Sequence, residues 1–496
     1  MNTALLSLSR PAFLSLGALL LAACTVGPDY QRPSATLATE IANIDTFQAA
    51  PEHWGTWHPA QPGEIDTHTR WWSYFNDDTL DTLMVKVNVS NQSIVAAEAG
   101  YRQAQAAIRA ARSSYFPQIS GQAAINRGTG STENGITNTQ SLSFSASWEI
   151  DLWGAVRRQV ESSTASAEAS HADLTALRLS IQSTLAQTYF LLRVTDAQET
   201  VFNRIVDDYT AFLRLVQNQY AVGTAQRADV LQAQTQLKTA QAQLIDTRIT
   251  RKQYEHALAN LIGTIPSAFA LPLAELDMAA ANQLPFLPPA VPSQLLERRP
   301  DIAAAERRMA AANAEIGIAQ AAYYPHLTLS ASRGFSGDAP ANWLTLPNPV
   351  WSLGPALAST LFDGGARDAA RLGATAAYEA SVANYRQTVL NAFEEVENNL
   401  AALQWLKEEA IIQNEALDSA REALALINNR YRAGTASLLD VLTAQTTAQS
   451  AELNTLALIS RQYIASITLI TALGGDWMTE KDSGLALDSA QSDNIE

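Results

Sequence analysis

One stretch of the chain, Ser141–Leu152, alternates apolar and polar residues without a break. Its apolar positions are Leu142, Phe144, Ala146, Trp148, Ile150 and Leu152. Serine, glutamate and aspartate occupy the positions between them. A period of two over this length predicts a β-strand with one apolar face and one polar face. Such a strand fits a transmembrane barrel, with lipid outside and water inside. A long edge hairpin of a soluble β-sandwich is the alternative.

Weaker alternation predicts three further strands. Pro117–Asn126 precedes the first stretch across a turn-rich loop, and a second hairpin occupies Leu327–Phe335 and Trp351–Leu361. Four strands cannot close a barrel, because about eight are needed. Open strand edges are not tolerated in lipid. Several chains must therefore pool their strands, and three chains of four strands give twelve.

Helical patterns fill most of the remaining chain. After Gly154 a helix runs without Pro or Gly to Val222, which is about 100 Å at 1.5 Å per residue. Gly223 ends this helix in the manner of a glycine cap, and Thr224 begins a returning helix that reaches about Ile262. The summed lengths of the shorter helices match the long one. We therefore expect each long helix to pair antiparallel with two stacked shorter helices.

The chain repeats itself at an interval of about 210 residues. Three motifs recur, at offsets of 208, 210 and 211: Tyr115-Phe-Pro as Tyr323-Tyr-Pro, Leu152-Trp-Gly as Phe362-Asp-Gly, and Tyr220-Ala-Val-Gly-Thr-Ala as Tyr431-Arg-Ala-Gly-Thr-Ala. Self-similarity at one period indicates a structural duplication. Each copy contains a helix, a hairpin, a very long helix, a glycine turn and a returning helix. Three chains then form a helical tube, for which a solid coiled-coil rod is the alternative.

The N-terminus predicts export and lipidation. Residues 1–23 contain Arg10 and then a short apolar core, Ala12–Ala23, that ends in small residues, which is typical of a secretory signal peptide. Leu21-Ala-Ala-Cys24 is similar to the cleavage box of bacterial lipoproteins, which makes Cys24 the lipidated first residue of the mature chain. An ordinary signal peptide is the alternative. Cys24 is the only cysteine, so no disulfide forms within the chain. Thr25 after it favours the outer membrane.

Together these features resemble the outer-membrane efflux proteins, the exit ducts of tripartite pumps, and most of all their lipoprotein branch. The resemblance covers residues 24 to about 476 and rests on the cleavage box, Trp71-Trp72, the duplicated unit and the paired Tyr-x-x-Gly-Thr turns. It implies an α+β fold in which a trimeric, twelve-stranded outer-membrane β-barrel is continuous with a long periplasmic α-helical barrel. It also implies a periplasmic adaptor protein and an inner-membrane pump, of RND type, as partners.

The resemblance gives the chain a layout by residue number. The segments are a signal peptide (1–23), an extended equatorial segment (24–78), helices of the first copy (79–116 and 154–263), the first hairpin (117–153), a link (264–299), helices of the second copy (300–324 and 364–474), the second hairpin (325–363) and a C-terminal tail (475–496). Aromatic residues at the strand ends suit a periplasmic girdle. They are Tyr115, Phe116, Trp153, Tyr323, Tyr324 and Phe362.

In the family the two glycine turns form a periplasmic tip that is closed at rest. The resemblance implies that Asp229 is bonded to Tyr431 and to a basic residue of the second turn. This sequence has Ala436 where some relatives carry that base, and Arg432 is the candidate substitute. The alternative for the acid is that it stabilises the positive end of a helix dipole. Six residues separate it from its glycine, and at that distance the dipole effect fades.

Two further predictions concern the same tip. Asp440 repeated in three chains places a ring of carboxylates in the bore, which attracts cations, and Leu438 or Leu439 adds an apolar constriction. The adaptor contacts are expected at the glycines and threonines of the turns, which are also explained as plain helix caps. These four residues are Gly223, Thr224, Gly434 and Thr435.

Motifs for catalysis are missing from the sequence. It contains neither a Gly-x4-Gly-Lys-Ser/Thr phosphate loop nor a Gly-x-Ser-x-Gly elbow. His53, His58 and His68 lack an acidic partner at a metal-ligand spacing. The net charge of −16 argues against nucleic acid as a partner. We therefore expect a passive duct with no metal and no cofactor besides the lipid on Cys24.

Three rival functions share part of this pattern. An open porin would need the barrel but not the long helices. A lipid-anchored periplasmic scaffold would need the helices but not the amphipathic strands. A type I secretion duct for proteins would share both, and only the cleavage box favours small-molecule efflux over it. A wide duct is not where cargo is selected, so the sequence does not name the compounds that pass.

Overall fold

The computed structural model describes residues 25–32, 70–129, 136–274, 299–337 and 349–475. The helices are α1 Asp78–Ser90, α2 Gln92–Ser113, α3 Ala155–Ala221, α4 Arg227–Leu261, α5 Pro300–Ala321, α6 Ala366–Arg432 and α7 Leu438–Ala472. The strands are β1 Gln118–Thr129, β2 Ile136–Ile150, β3 His326–Gly337 and β4 Pro349–Ala358. This order confirms the predicted duplication of helix, hairpin, long helix and returning helix. The predictions for the signal peptide, Cys24, the three histidines and most of the 24–78 segment fall outside the described residues.

The chain divides into two compact units, each with parts from both copies of the repeat. Of the described residues, the first unit contains 25–32, 99–129, 136–172, 303–337 and 349–387, and with them all four strands. The second contains 70–98, 173–274, 299–302 and 388–475, and with them both glycine turns.

The four strands form a single antiparallel sheet in the order β1-β2-β3-β4. Its central pairing joins the two hairpins, with Ser147 opposite Ser330 and Ala146 opposite Ala331. Serines thus mostly face serines and apolar residues mostly face apolar residues, so the sheet has one serine-rich face and one largely apolar face. β1 and β4 are edges, each with one row of backbone groups unpaired within the described chain.

The serine-rich face is held together by cross-strand hydrogen bonds. Ser120 and Ser145 hydroxyl oxygens lie 2.8 Å apart, as do those of Ser332 and Ser352. These side chains are polar and exposed, whereas the opposite face presents large apolar side chains. The exposed side chains on that face are Ile119, Ile125, Phe144, Trp351, Leu353 and Leu357, whereas Val350 lies on the serine-rich face.

The first helical segment differs from its prediction. Residues 79–116 were expected to form one helix, but the chain breaks at Asn91 into α1 and α2. The Asn91 side chain accepts hydrogen bonds from the backbone amides of Ser93 and Ile94, and so caps α2. Its amide also donates to the carbonyl oxygen of Leu261 at 2.7 Å, which ties this break to the end of α4.

The long helix α3 pairs with two shorter helices in turn within the second unit, as predicted. Gln182 donates to Asn88 of α1 at 2.8 Å, and Arg248 of α4 donates to Glu199 at 2.8 Å. Aromatic rings fill the core beside these contacts. The rings of Phe190 and Tyr463 stack with centroids 4.1 Å apart.

A buried ion network ties the chain after α4 to this helix pair. Asp196 is 1% exposed and accepts hydrogen bonds from Arg193 and Arg251, at 3.0 and 2.7 Å. Arg251 also donates to the carbonyl oxygen of Leu271, whose amide donates to Glu255. Because a buried charge is costly unless it is paired, this network specifies where the link between the two copies begins.

One described helix, α7, is long and apolar enough to cross a membrane by length and composition alone. In its apolar window 67% of the residues are buried. That burial is typical of a core helix, and α7 supplies Leu456, Ile459, Ile467 and Ile470 to the core.

Candidate functional site

The two glycine turns have the same backbone structure. Gly223 and Gly434 have φ angles of +80° and +75°, in the left-handed region that favours glycine. The Thr224 amide donates to the carbonyl oxygen of Gln219 at 2.8 Å, and the Thr435 amide donates to that of Arg430 at 2.8 Å. Together with the glycine amides, which donate one residue further on, these bonds form a Schellman motif at the end of α3 and of α6.

The threonines belong to these caps and do not begin the returning helices, so that prediction is wrong. Each threonine hydroxyl donates to the same carbonyl oxygen as its own amide, at 3.0 Å in the first turn and 3.1 Å in the second. The returning helices begin three residues later, at Arg227 and Leu438. Both glycines and both threonines are exposed. The turns therefore offer a compact surface that a partner can reach.

The two predicted gate acids are in fact the third residues of the returning helices. Asp229 accepts a hydrogen bond from the amide of Gln226 at 2.8 Å, and Asp440 accepts one from the amide of Ser437 at 2.8 Å. The Ser437 hydroxyl also donates to Asp440, and these bonds hold the pKa of that carboxyl below its usual value. The prediction counted from the glycines and so placed both acids too far from a helix start. Both act locally as parts of helix N-terminal caps.

Tyr431 is tied to a residue that sequence reasoning missed. Its hydroxyl donates to the side-chain oxygen of Gln219 at 2.8 Å, and its ring lies 5.7 Å from that of Phe212. The predicted bond to Asp229 is absent from the described residues. Burial raises the pKa of the Tyr431 hydroxyl, which the nearby charge of Asp229 also raises. The bond joins the end of the first copy's long helix to the end of the second copy's long helix.

A second tie between the two copies of the repeat joins α3, α6 and α7. Glu452 of α7 accepts hydrogen bonds from Arg204 of α3 and, at 2.7 Å, from Arg421 of α6. Burial acts to raise the pKa of the Glu452 carboxyl, but the two guanidinium groups outweigh it and hold that pKa below its usual value. A cavity of about 380 Å³ lies between these helices, lined by all three residues. The sequence signal for this tie was an acid on the apolar helix α7.

The remaining predicted tip residues are exposed. Arg432 lines the same cavity and makes no ion pair within the described residues, and its role as a substitute for the base missing at Ala436 stays a prediction. Leu439 is 63% exposed, whereas Leu438 packs against the core. Of the two leucines, Leu439 is therefore the one available for an apolar constriction. Within the described residues no group of three or more His, Cys, Asp and Glu is placed to hold a metal ion.

Aromatic side chains surround the strand ends in the first unit, where they were predicted. Trp153 stacks on Tyr324 with ring centroids 4.6 Å apart, and its indole nitrogen donates to the carbonyl oxygen of Pro325 at 2.8 Å. Phe116 and Phe362 are 68% and 87% exposed. Large exposed rings beside apolar strands are typical of the girdle at a membrane interface.

The chain from Thr25 to Arg32 is bound to the same unit. The Val26 amide donates to the carbonyl oxygen of Trp153 at 3.1 Å, and the Tyr30 hydroxyl donates to Glu306 at 2.6 Å. Asp29 accepts a hydrogen bond from Arg158 at 2.9 Å. A Cβ atom on Gly154 would lie 2.8 Å from the side chain of Thr25. The residue after Cys24 is thus packed against the junction where strand β2 leads into α3.

Comparison with known proteins gives consistent matches along most of the chain. The model of the family "Outer membrane efflux protein" matches residues 83–264 and 291–475, one match for each copy of the repeat. The pyoverdine export outer membrane protein OpmQ of Pseudomonas aeruginosa is 31% identical over 90% of this chain and 95% of its own length. The cation efflux system protein CusC of Escherichia coli is 26% identical over 93% of this chain and 97% of its own.

The solved structure of the outer-membrane channel OprN superposes on this chain with a TM-score of 0.80. The two are 30% identical, and the superposition covers 92% of this chain and 100% of that one. The predicted fold of a single chain is thereby confirmed, as is the predicted functional class of an outer-membrane efflux channel.

Proposed function

The chain belongs to the outer membrane efflux protein family, and from that premise we propose that three copies form one passive exit duct across the outer membrane. The observation that carries the proposal is the four-stranded sheet with its two unpaired edges. One face is lined by serine and the other is apolar. Pairing β1 of each chain with β4 of the next chain removes every edge and yields a closed barrel with a polar bore.

Neighbouring residues of β2 provide a matched test of this barrel. Ser145 and Ala146 lie next to each other on opposite faces of one strand. A cysteine at Ser145 should react with a charged, water-soluble thiosulfonate reagent and lower the single-channel conductance in a planar bilayer. A cysteine at Ala146 faces lipid and should be silent. Equal block at both positions, or no conductance from confirmed trimers, would refute the barrel.

The duct needs no chemistry of its own. Energy comes from an inner-membrane pump of the RND type, and a periplasmic adaptor protein connects the pump to the exposed glycine turns. OpmQ is named for pyoverdine and CusC for cations. Since similar channel proteins are named for such different cargo, we infer that the pump selects the cargo. This chain then conducts the small molecules that the pump delivers.

A photo-crosslinking residue tests the docking surface. The probe is placed at Val222, which lies beside the first glycine and is 75% exposed. It should crosslink to the purified adaptor protein of the pump, whereas the same probe at exposed Arg109 of α2 should not. Equal crosslinking at both positions would place the adaptor elsewhere.

Cys24 is the proposed site of the lipid anchor. The contacts of Thr25 and Val26 with the Trp153–Gly154 junction support it, because they bring the start of the mature chain beside the aromatic girdle. An acyl chain on Cys24 would then enter the membrane without an intervening linker. Mass spectrometry of the mature N-terminal peptide should find acylated Cys24, and an unmodified thiol there would refute the anchor.

Within each chain, the contacts at the tip between the two copies of the repeat are proposed to keep the duct closed at rest. The Gln219–Tyr431 bond and the bridge of Glu452 to two arginines hold α3 against the second copy's helices. Opening separates these helices and exchanges such contacts for contacts with the adaptor. Asp229 and Asp440 then act through the shape of the turns, and Asp440 adds three carboxylates around the entrance.

A further inference from the structure

The described strands contain only four residues that can carry a charge, and their placement is uneven. Glu149 and His326 lie on the serine-rich face, where their side chains contact each other at 2.9 Å. Arg127 and Arg333 lie on the opposite face. Arg333 shares its parity along β3 with Leu327, Leu329, Ala331 and Phe335, and Arg127 shares its parity along β1 with Ile119 and Ile125. Two positive charges therefore interrupt the apolar face.

The strand register places large rings on both sides of Arg333. Its direct neighbours across the sheet are Phe144 on β2 and Trp351 on β4. Both rings are exposed, at 59% and 76% of their surface. Neither arginine has an acidic partner within the described residues, and both side chains are exposed. Arg333 thus presents a guanidinium group between two aromatic side chains on a largely apolar surface.

The position of Arg333 along its strand indicates a depth in the membrane. It is the eighth residue of β3, which puts it about 23 Å from the girdle end of the strand at ~3.3 Å per residue. A strand tilt of ~40° reduces this to about 18 Å of height, against an apolar band about 25 Å tall. Arg127 is the tenth residue of β1 and lies higher still. Both arginines therefore belong to the outer part of the band, near the outer leaflet's headgroups.

A lipid-facing arginine is costly at the bilayer midplane, and the cost falls toward the interface. At the interface a guanidinium group can donate two parallel hydrogen bonds to a phosphate. Trp351 beside it suits the same boundary, since its ring contacts acyl chains while its indole N–H reaches the polar layer, and Phe144 adds a ring that packs against acyl chains. A free phosphate ion would use the guanidinium but gain nothing from the apolar surface below it.

We propose that Arg333, between Phe144 and Trp351, binds the phosphate of a phosphorylated lipid in the outer leaflet. Arg127 provides a second basic position further along the same face. The inference depends on the proposed barrel, because the apolar face meets lipid only if three sheets close around the serine-rich bore.

The test uses purified trimers and lipid A as the probe, in its bis-phosphorylated form and after enzymatic removal of both phosphates. Native mass spectrometry measures the fraction of trimers that retain lipid. The bis-phosphorylated lipid should bind and the dephosphorylated lipid should bind at least about tenfold more weakly, since a charged hydrogen-bond acceptor is lost. Arg333→Gln should give a similar loss, Arg333→Lys a smaller one, and Arg102→Gln on exposed α2 none.

Three results would overturn the proposal. They are equal binding of the two lipids, unchanged binding by Arg333→Gln trimers, and displacement of the lipid by excess inorganic phosphate alone. Should Arg333→Gln not assemble, the comparison of the two lipids on the unaltered chain still decides. Failure of the barrel itself would show separately, as equal block of the cysteines at Ser145 and Ala146.

Discussion

The two glycine turns share one backbone structure but differ in the residue before the tyrosine. In the first turn Gln219 precedes Tyr220, and in the second Arg430 precedes Tyr431. Tyr431 donates to Gln219, but within the described residues no matching bond joins Tyr220 to Arg430. Tyr220 is instead 44% exposed, and Arg430 donates to the carbonyl oxygen of Thr435 in its own turn.

The difference separates what each turn needs for folding from what it contributes to the tip. The Schellman bonds are duplicated, so they serve the ending of a long helix in either copy. The Tyr431–Gln219 bond, by contrast, has no counterpart within the described residues that runs from Tyr220 to Arg430. Glu452 shows the same asymmetry. The equivalent residue in the first copy is Gln241, whose side chain is hydrogen-bonded within the described residues to Lys238 of its own helix and not to the second copy. The two copies therefore share their scaffold but not these contacts.

Removing one hydroxyl from each turn tests this asymmetry most directly. Tyr431→Phe loses a hydrogen bond worth about 1 kcal/mol per chain. If all three chains must release together, the combined ~3 kcal/mol raises the ratio of open to closed channels by about two orders of magnitude. Single-channel recording should show frequent openings of Tyr431→Phe and a parent-like record for Tyr220→Phe. Equal behaviour of the two variants would remove the Gln219–Tyr431 bond from the gate.

Alanine at the glycines tests the part that the turns share. A residue with a side chain costs roughly 1–2 kcal/mol in the left-handed region. A Cβ atom at Gly223 or Gly434 would meet nothing within 4 Å, so no clash adds to that cost. Gly223→Ala and Gly434→Ala should therefore lower the melting temperature of the trimer by similar amounts. A much larger loss at Gly434 would mean that the second turn is stabilised by contacts beyond its own backbone.

Several of these features could be predicted from the sequence, and the reasons are local. Alternation over Ser141–Leu152 and the recurring Tyr-x-x-Gly-Thr motif each specify structure within a few residues. The break at Asn91 was missed because its neighbours continue a helical pattern, while its side chain caps α2 and binds Leu261 from a distant segment. The prediction that Tyr431 binds Asp229 failed for a related reason. Gln219 and Asp229 both border the first turn, and only the packing of the long helices decides between them.

The charge bridge at Glu452 should contribute less than the glycine positions. Both arginines keep about half of their side-chain surface exposed, so solvent screens the interaction. Glu452→Gln should destabilise each chain by about 1 kcal/mol, measured by thermal unfolding of the trimer. The control is Glu409→Gln, which removes an exposed ion pair with Arg461 between α6 and α7. This control should change the stability of the trimer little. Equal losses would mean that bridging to the first copy adds nothing.

The smallest effect concerns the start of α7. Hydrogen bonds from Ser437 lower the folded-state pKa of Asp440, so its stabilising contribution is complete above the unfolded value of about 3.9. That contribution is lost as pH falls through the folded value. Amides in the first turn of α7 should therefore lose protection from hydrogen exchange below about pH 4, after correction for the intrinsic rate.

Substitutions at the capping residues before α4 and α7 complete the comparison. Ser437→Ala should reduce the protection of the first turn of α7 already at about pH 6, because it removes a hydroxyl cap worth about 1 kcal/mol. Gln226 stands at the equivalent place before α4 and has no hydroxyl. Gln226→Ser should therefore raise the protection of the first turn of α4. If protection responds in α7 but not in α4, the two turns differ in more than their capping residues, and the asymmetry at the tip extends to the backbone of the returning helices.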